Sequence, residues 1–282
     1  MAAIAAHLLV QRIAKQIPGW KRVLKTADVQ EEKIAKHVSR AFAKGHKSLP
    51  KKVTSHKQAE EALNRAVLVT EKALKAGMDD LLFETLALGG DAAATNLVRQ
   101  APVMRASSRQ LRTLAKKPPI GYEFDRTNEK SVEWAKERAG DLIDGISDTT
   151  REKIREIIGD VVNEGDWDEA YDELQDIFDD EDRTRMIART ESMTATNEGQ
   201  RDLWEQAVKD GYLNGDEQQV WITTPDDKLC DICEPLEGVT VGMDEDFPEE
   251  GPPAHPNCRC TIGLLAAGAA GEEEEQDSEE AD

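Results

Sequence analysis

The stretch from Asp182 to Thr223, DRTRMIARTESMTATNEGQRDLWEQAVKDGYLNGDEQQVWIT, decides the fold class because its periodicity changes partway along. From Asp182 to about Val208 it predicts one long helix, with Gly211 just past the end, where a glycine commonly closes a helix. From Gln219 to Thr223 the residues are those of a short strand, with Val220 and Ile222 two apart on one face. Val239 and Val241 are spaced in the same way, and Cys260 to Leu264 is short and tolerant of β structure. The expectation is an α+β chain, mostly helical, with a small C-terminal β-sheet and turn-rich connections.

Upstream the pattern is helical throughout. Ile4, Leu8, Leu9, Ile13 and Ile17 share a helical spacing that Pro18-Gly19 ends, and a second pattern runs from Val29 through Ile34 and Val38 to Phe42. Ala59, Leu63, Ala66, Val67, Thr70 and Leu74 form a third, stopped by Gly77. Leu81–Leu88 and Ala92–Val98 read as two short helices split by Gly89-Gly90. Val132 to Ile146 carries another stripe, and Thr149-Thr150-Arg151-Glu152 reads as a capping box opening a separate helix through Ile154 and Ile158. Asp166 then caps a helix with Trp167, Ala170, Tyr171, Leu174, Ile177 and Phe178 on one face.

Of the 282 residues, 33% are charged and 5% aromatic, which favours long solvated helices over one large core. The longest apolar runs, Ala2–Ala6 and Leu264–Ala267, fall far short of the ~18 residues of a membrane span, so no membrane partner is expected. The first seventeen residues lack the pattern of an export signal. The net charge of −21 is divided unevenly. Residues 1–120 hold 22 Lys and Arg against 10 Asp and Glu, whereas residues 121–282 hold 14 against 47. Between Asp91 and Glu123 no acid occurs, while Arg105, Arg109, Arg112, Lys116 and Lys117 accumulate before Pro118-Pro119. Such a basic run fits a partner such as double-stranded DNA, or it is simply a solvated surface. The division expected is a basic helical region at 1–120, an α+β domain at 121–265 and an acidic, disordered tail at 266–282.

All four cysteines lie near the C-terminal end, as Cys230-x2-Cys233 and, after 21 residues, His255-x2-Cys258-x-Cys260. Thiolate and imidazole are good zinc ligands, and five donors compete for about four positions, giving a zinc-knuckle-like site. A cysteine-rich zinc is structural and leaves no open catalytic position. Cross-paired disulfides and metal-free packing are the other readings. No H-E-x-x-H, deaminase-type H-x-E or Walker pattern is present, so the expectation is a non-enzyme. On the long helix, Arg185, Arg189, Glu191 and Asn197 read as a charge network that fixes packing, with an anion or substrate site as the other reading.

Arg185-Met186-Ile187-Ala188-Arg189-Thr190-Glu191 with Asn197 resembles the R-x-x-I-A-R-T-E…N helix of phage Mu F-like head morphogenesis proteins. Trp221-Ile222-Thr223-Thr224, Asp226 or Asp227, Cys230-Asp231-Ile232-Cys233 and Leu236-Glu237-Gly238 resemble the family's next feature. The His255–Cys260 H-P-N-C-R-C ending resembles the last one, and Phe124-Asp125 with Asn128 resembles the start of the family domain. The match spans roughly 121–265. The resemblance implies a structural minor head protein of a tailed phage, inside the head near the portal, assembled in the host cytoplasm. Its implied partners are the portal protein, with scaffolding or major capsid protein and phage DNA as further ones. It also implies work in head assembly, DNA packaging, retention or delivery. The alternative is a metal-dependent enzyme or toxin-related protein using the Cys/His site.

Overall fold

The computed structural model describes residues 19–50, 56–107, 118–164, 167–224, 229–249 and 251–265. Six helices are described: α1 (Trp20–Lys47), α2 (His56–Lys75), α3 (Met78–Ser107), α4 (Glu129–Glu164), α5 (Trp167–Asp179) and α6 (Glu181–Lys209). Three short strands follow: β1 (Gln218–Ile222), β2 (Thr240–Gly242) and β3 (Thr261–Leu265). The mostly helical α+β architecture agrees with the sequence reading. The Ile4–Ile17 repeat and the acidic tail lie outside the described residues.

The chain divides into two compact units of interleaved segments, Met1–Val29 with Thr85–Asn128 and Ser192–Asp282, and Gln30–Glu84 with Glu129–Glu191. The second unit is helical among its described residues. Its core gathers Ile34, Val38 and Phe42 of α1, Leu63, Val67 and Leu74 of α2, Ile143 and Ile146 of α4, and Phe178 of α5. Burying such side chains contributes roughly 1.5–3 kcal/mol each. Phe42 and Phe178 meet edge to face at 6.4 Å. Arg183 lays its guanidinium over the Phe42 ring at 5.1 Å and donates to the Ile146 carbonyl and to Thr150 Oγ, at 3.1 and 2.9 Å. This buried guanidinium is thus held by carbonyl, hydroxyl and π-face, with the Asp180 charge nearby favouring its charged form.

The first unit carries the sheet, ordered β2-β1-β3 with both pairings antiparallel. Trp221 stands opposite Ile262, and Gln219 opposite Val241 and Leu264. All five residues of β3 are buried, so both faces of this strand are covered. Trp20, Val220, Ile222 and Leu265 form a hydrophobic cluster with Leu24 packed against it. Gly211, at φ +75°, closes α6 as its position predicts.

Two sequence expectations are corrected. Gly89-Gly90 does not split a helix, because α3 runs unbroken from Met78 to Ser107. The glycines answer a different need. A Cβ at Gly89 would stand 2.4 Å from the Thr196 carbonyl, one at Gly90 would strike Phe124 at 2.6 Å, and one at Gly199 would stand 1.9 Å from the Leu86 carbonyl. Backbone passes backbone here, and only glycine leaves room. Likewise Thr149-Thr150-Arg151-Glu152 caps nothing, since α4 continues through it. Thr149 Oγ and Thr150 Oγ instead donate back to the Gly145 and Ile146 carbonyls, at 2.7 and 2.6 Å, an alternative open to threonine inside a helix.

Glycine substitutions separate the two roles. Gly199→Ala should destabilise by at least ~2 kcal/mol, as overpacking against main chain does. Gly140→Ala, in the helix interior with open space around it, should stabilise by ~0.5–1 kcal/mol. Denaturant unfolding monitored by circular dichroism reads both, and a harmless Gly199→Ala would refute the close approach.

Candidate metal centre and the residues that build it

The cysteine cluster is presented by two turns of the same kind. Cys233 N–H donates to the Cys230 carbonyl at 3.1 Å, and Cys258 N–H donates to the His255 carbonyl at 3.2 Å. In the second turn Asn257 adopts φ +68°, a conformation asparagine tolerates better than most residues. His255 Nε2 lies 3.1 Å from Cys230 Sγ and 3.2 Å from Cys233 Sγ, while Cys233 Sγ lies 3.6 Å from Cys258 Sγ. The potential donors form two triads, Cys230-Cys233-His255 and Cys233-Cys258-Cys260, sharing Cys233. All four cysteines are free thiols. All five donors line a cavity of about 30 Å³.

The surroundings act differently on the five donors. His255 Nδ1 stands 2.8 Å from the Pro256 carbonyl, which can only accept, so Nδ1 carries the proton and Nε2 offers its lone pair to the sulfurs. Hydrogen bonding from Cys260 holds the Cys258 thiol down at about 5 in spite of burial. Burial opposes charge on Cys230, yet the N–H groups of Cys233 and Ile232 outweigh it and lower its pKa. Burial and the neighbouring Cys258 charge push Cys233 up to about 12, and the Cys258 hydrogen bond with burial raises Cys260 further. For His255, burial favours the neutral ring, but the Pro256 carbonyl and the cysteine charges prevail and raise its pKa. Sulfur and imidazole donors at these separations fit a tetrahedral zinc ion.

The helix motif contributes in three places. Arg189 makes a two-nitrogen contact with Glu31, at 3.0 and 3.1 Å. Glu191 receives Arg138, a residue unmarked by the sequence reading, at 2.8 Å through both oxygens. Arg185 is exposed and lines an open groove of about 520 Å³ with Arg40, Phe178 and Asp179. Arg189 and Glu191 therefore serve different partners. Asn197 is fully buried. Its Nδ2 donates to the Pro252 and Cys260 carbonyls, at 2.9 and 3.4 Å, and its Oδ1 accepts from Thr261 Oγ and Gln200 Nε2, at 2.8 and 3.2 Å.

Residues 152–263 match the family described as phage Mu protein F like protein. This stretch is phage Mu F-like. No curated protein and no solved structure matches the chain. Within the Mu F-like stretch, Glu237 and Thr223 bind each other. The Thr223 N–H and hydroxyl both donate to Glu237 Oε2, tying the end of β1 to the turn after Cys233. Burial pushes the Glu237 carboxyl up, against the pull of those two bonds. Ahead of the matched stretch, Phe124 N–H and Arg126 bind Asp91, and Asp125 N–H donates to Gln206 Oε1, so this segment is fastened to α3 and α6. Arg109, Arg112, Lys116 and Lys117 lie outside the described residues, and only the backbone of Arg105 is described, within α3.

The two ion pairs rank by burial. Glu191, the carboxylate that Arg138 pairs, is 5% exposed, whereas Glu31, the one that Arg189 pairs, is 18% exposed. Arg138→Ala strands a buried carboxylate and should cost about 3 kcal/mol. Arg189→Ala should cost about 1 kcal/mol, nearer the value of surface pairs. Urea unfolding of both variants checks the ranking, and an equal or reversed order would contradict it.

Proposed function

We propose that the chain is a minor head protein of a tailed phage that acts in head assembly at the portal. The match of residues 152–263 to the phage Mu protein F like family carries this reading. The protein then sits inside the head near the portal, after assembling in the host cytoplasm. Its partners are the portal protein, with scaffolding or major capsid protein in reach during assembly. No helix among the described residues is long and apolar enough to cross a membrane.

The uneven charge supports a contact with phage double-stranded DNA through the basic stretch that includes Arg105, Arg109, Arg112, Lys116 and Lys117, in packaging, retention or delivery. The Cys/His cluster serves as a structural staple: zinc, held by its sulfur and imidazole donors, supplies a cross-link that fixes the two turns to the sheet. A catalytic metal would need an acid or base aimed at it. The described residues lining the cavity include Thr224, Asn257 and Arg259 but no carboxylate, which favours the structural role over a metal-dependent enzyme or toxin-related protein.

Co-expression with the portal protein of the same phage tests the reading. The chain should co-purify with the portal and enter assembled heads. Failure to bind the portal, together with a metal-dependent turnover of any substrate, would overturn it in favour of the enzyme. For DNA, replacing Arg105, Arg109 and Arg112 with Ala should weaken binding by similar factors on unrelated sequences. Removing three phosphate contacts should also flatten the log–log salt slope by about 3. Unchanged binding would remove the segment from any DNA role.

A further inference from the structure

Five donors compete for four positions, and the geometry points to a choice that the sequence leaves open. We infer that the ion is held by Cys230, Cys233, His255 and Cys258, with Cys260 outside the coordination sphere; this rests on the zinc reading above. Three observations carry it. First, the four residues are the ends of two matching turns, Cys230–Cys233 and His255–Cys258, each closed by an N–H of the fourth residue on the carbonyl of the first. H-x2-C therefore repeats the main-chain hydrogen bond that closes C-x2-C. Cys260 stands beyond the second turn, next to the first residue of β3.

Second, three of the six donor separations can be set beside the edges of a tetrahedron. Bonds of about 2.3 Å to sulfur and 2.0–2.1 Å to nitrogen place neighbouring sulfurs about 3.8 Å apart, and sulfur and nitrogen about 3.6 Å apart. The observed edges are 3.6 Å for Cys233–Cys258 and 3.1 and 3.2 Å from His255 Nε2 to Cys230 and Cys233. These edges chain all four donors through Cys233. Third, the hydrogen bonds have a direction. Cys260 N–H donates to Cys258 Sγ at 3.5 Å, so Cys260 supports the sulfur of its neighbour through its main chain. A main-chain N–H on a sulfur fixes the direction in which that sulfur faces. Cys260, 3% exposed, then serves as a small apolar side chain behind the site.

The test uses the full chain, purified under reducing conditions. Metal analysis should find one zinc per chain, and replacement with cobalt(II) should give the absorption spectrum of three thiolates and one imidazole. Cys260→Ser keeps the supporting N–H, so it should retain one zinc with affinity within about threefold, below the ~10–100-fold effect of losing an outer-shell partner. Cys258→Ser and His255→Ala should weaken binding by more than about 100-fold. Because those two variants can fail to fold, the cobalt spectrum of the unaltered protein stands as an independent arm. A four-sulfur spectrum, or loss of zinc from Cys260→Ser, would overturn the donor set and leave the zinc reading intact. Absence of metal from the reduced, unaltered protein would overturn both.

Discussion

The close passage of α3 and α6 in the unit that holds the sheet is the constraint on which the candidate site depends. Main chain meets main chain at Gly89 with Thr196 and at Gly199 with Leu86, separations that no Cβ permits. Asn197 lies between these contacts in the chain, fully buried, with hydrogen bonds from both ends of its amide. A buried amide left unpaired would be costly, so each of those bonds fixes what it reaches. What it reaches is the Pro252 carbonyl, the Cys260 carbonyl and the Thr261 hydroxyl. The second turn of the cysteine cluster is thus positioned from the helix.

The motif string of the Mu F-like stretch reads accordingly as a set of positioning contacts. Glu191 and Arg189 act within the helical unit, through Arg138 and Glu31. Asn197 acts in the other unit, on the segment leading into β3. Thr223 and Glu237 bind the end of β1 to the first cysteine turn. Each of these contacts ties one segment of the chain to another.

Much of this was legible in sequence because period and punctuation are local. The end of α6 at Gly211, the strand at Gln218–Ile222 and the pairing of C-x2-C with H-x2-C all follow from neighbours in the chain. What was not legible depends on partners far along it. Gly89-Gly90 carries the composition of a break, and only the arrival of Thr196 and Phe124 shows that it is a contact surface. Thr149–Glu152 has the residues of a capping box, but Ile143 and Ile146 before it and Ile154 after it are all buried, and α4 runs on through it. Arg138 gave no signal, since a lone arginine on a helix resembles any solvated one until Glu191 faces it. The interleaving of the two units is beyond composition, which changes along the chain and says nothing of which segments fold together.

Hydrogen–deuterium exchange of Asn197→Ala tests the central claim most directly, because it asks whether the helix positions the cysteine region. The account predicts faster exchange across 218–222 and 251–265, with 129–157 unchanged. Equal protection of 251–265 in the variant and the unaltered protein would contradict it.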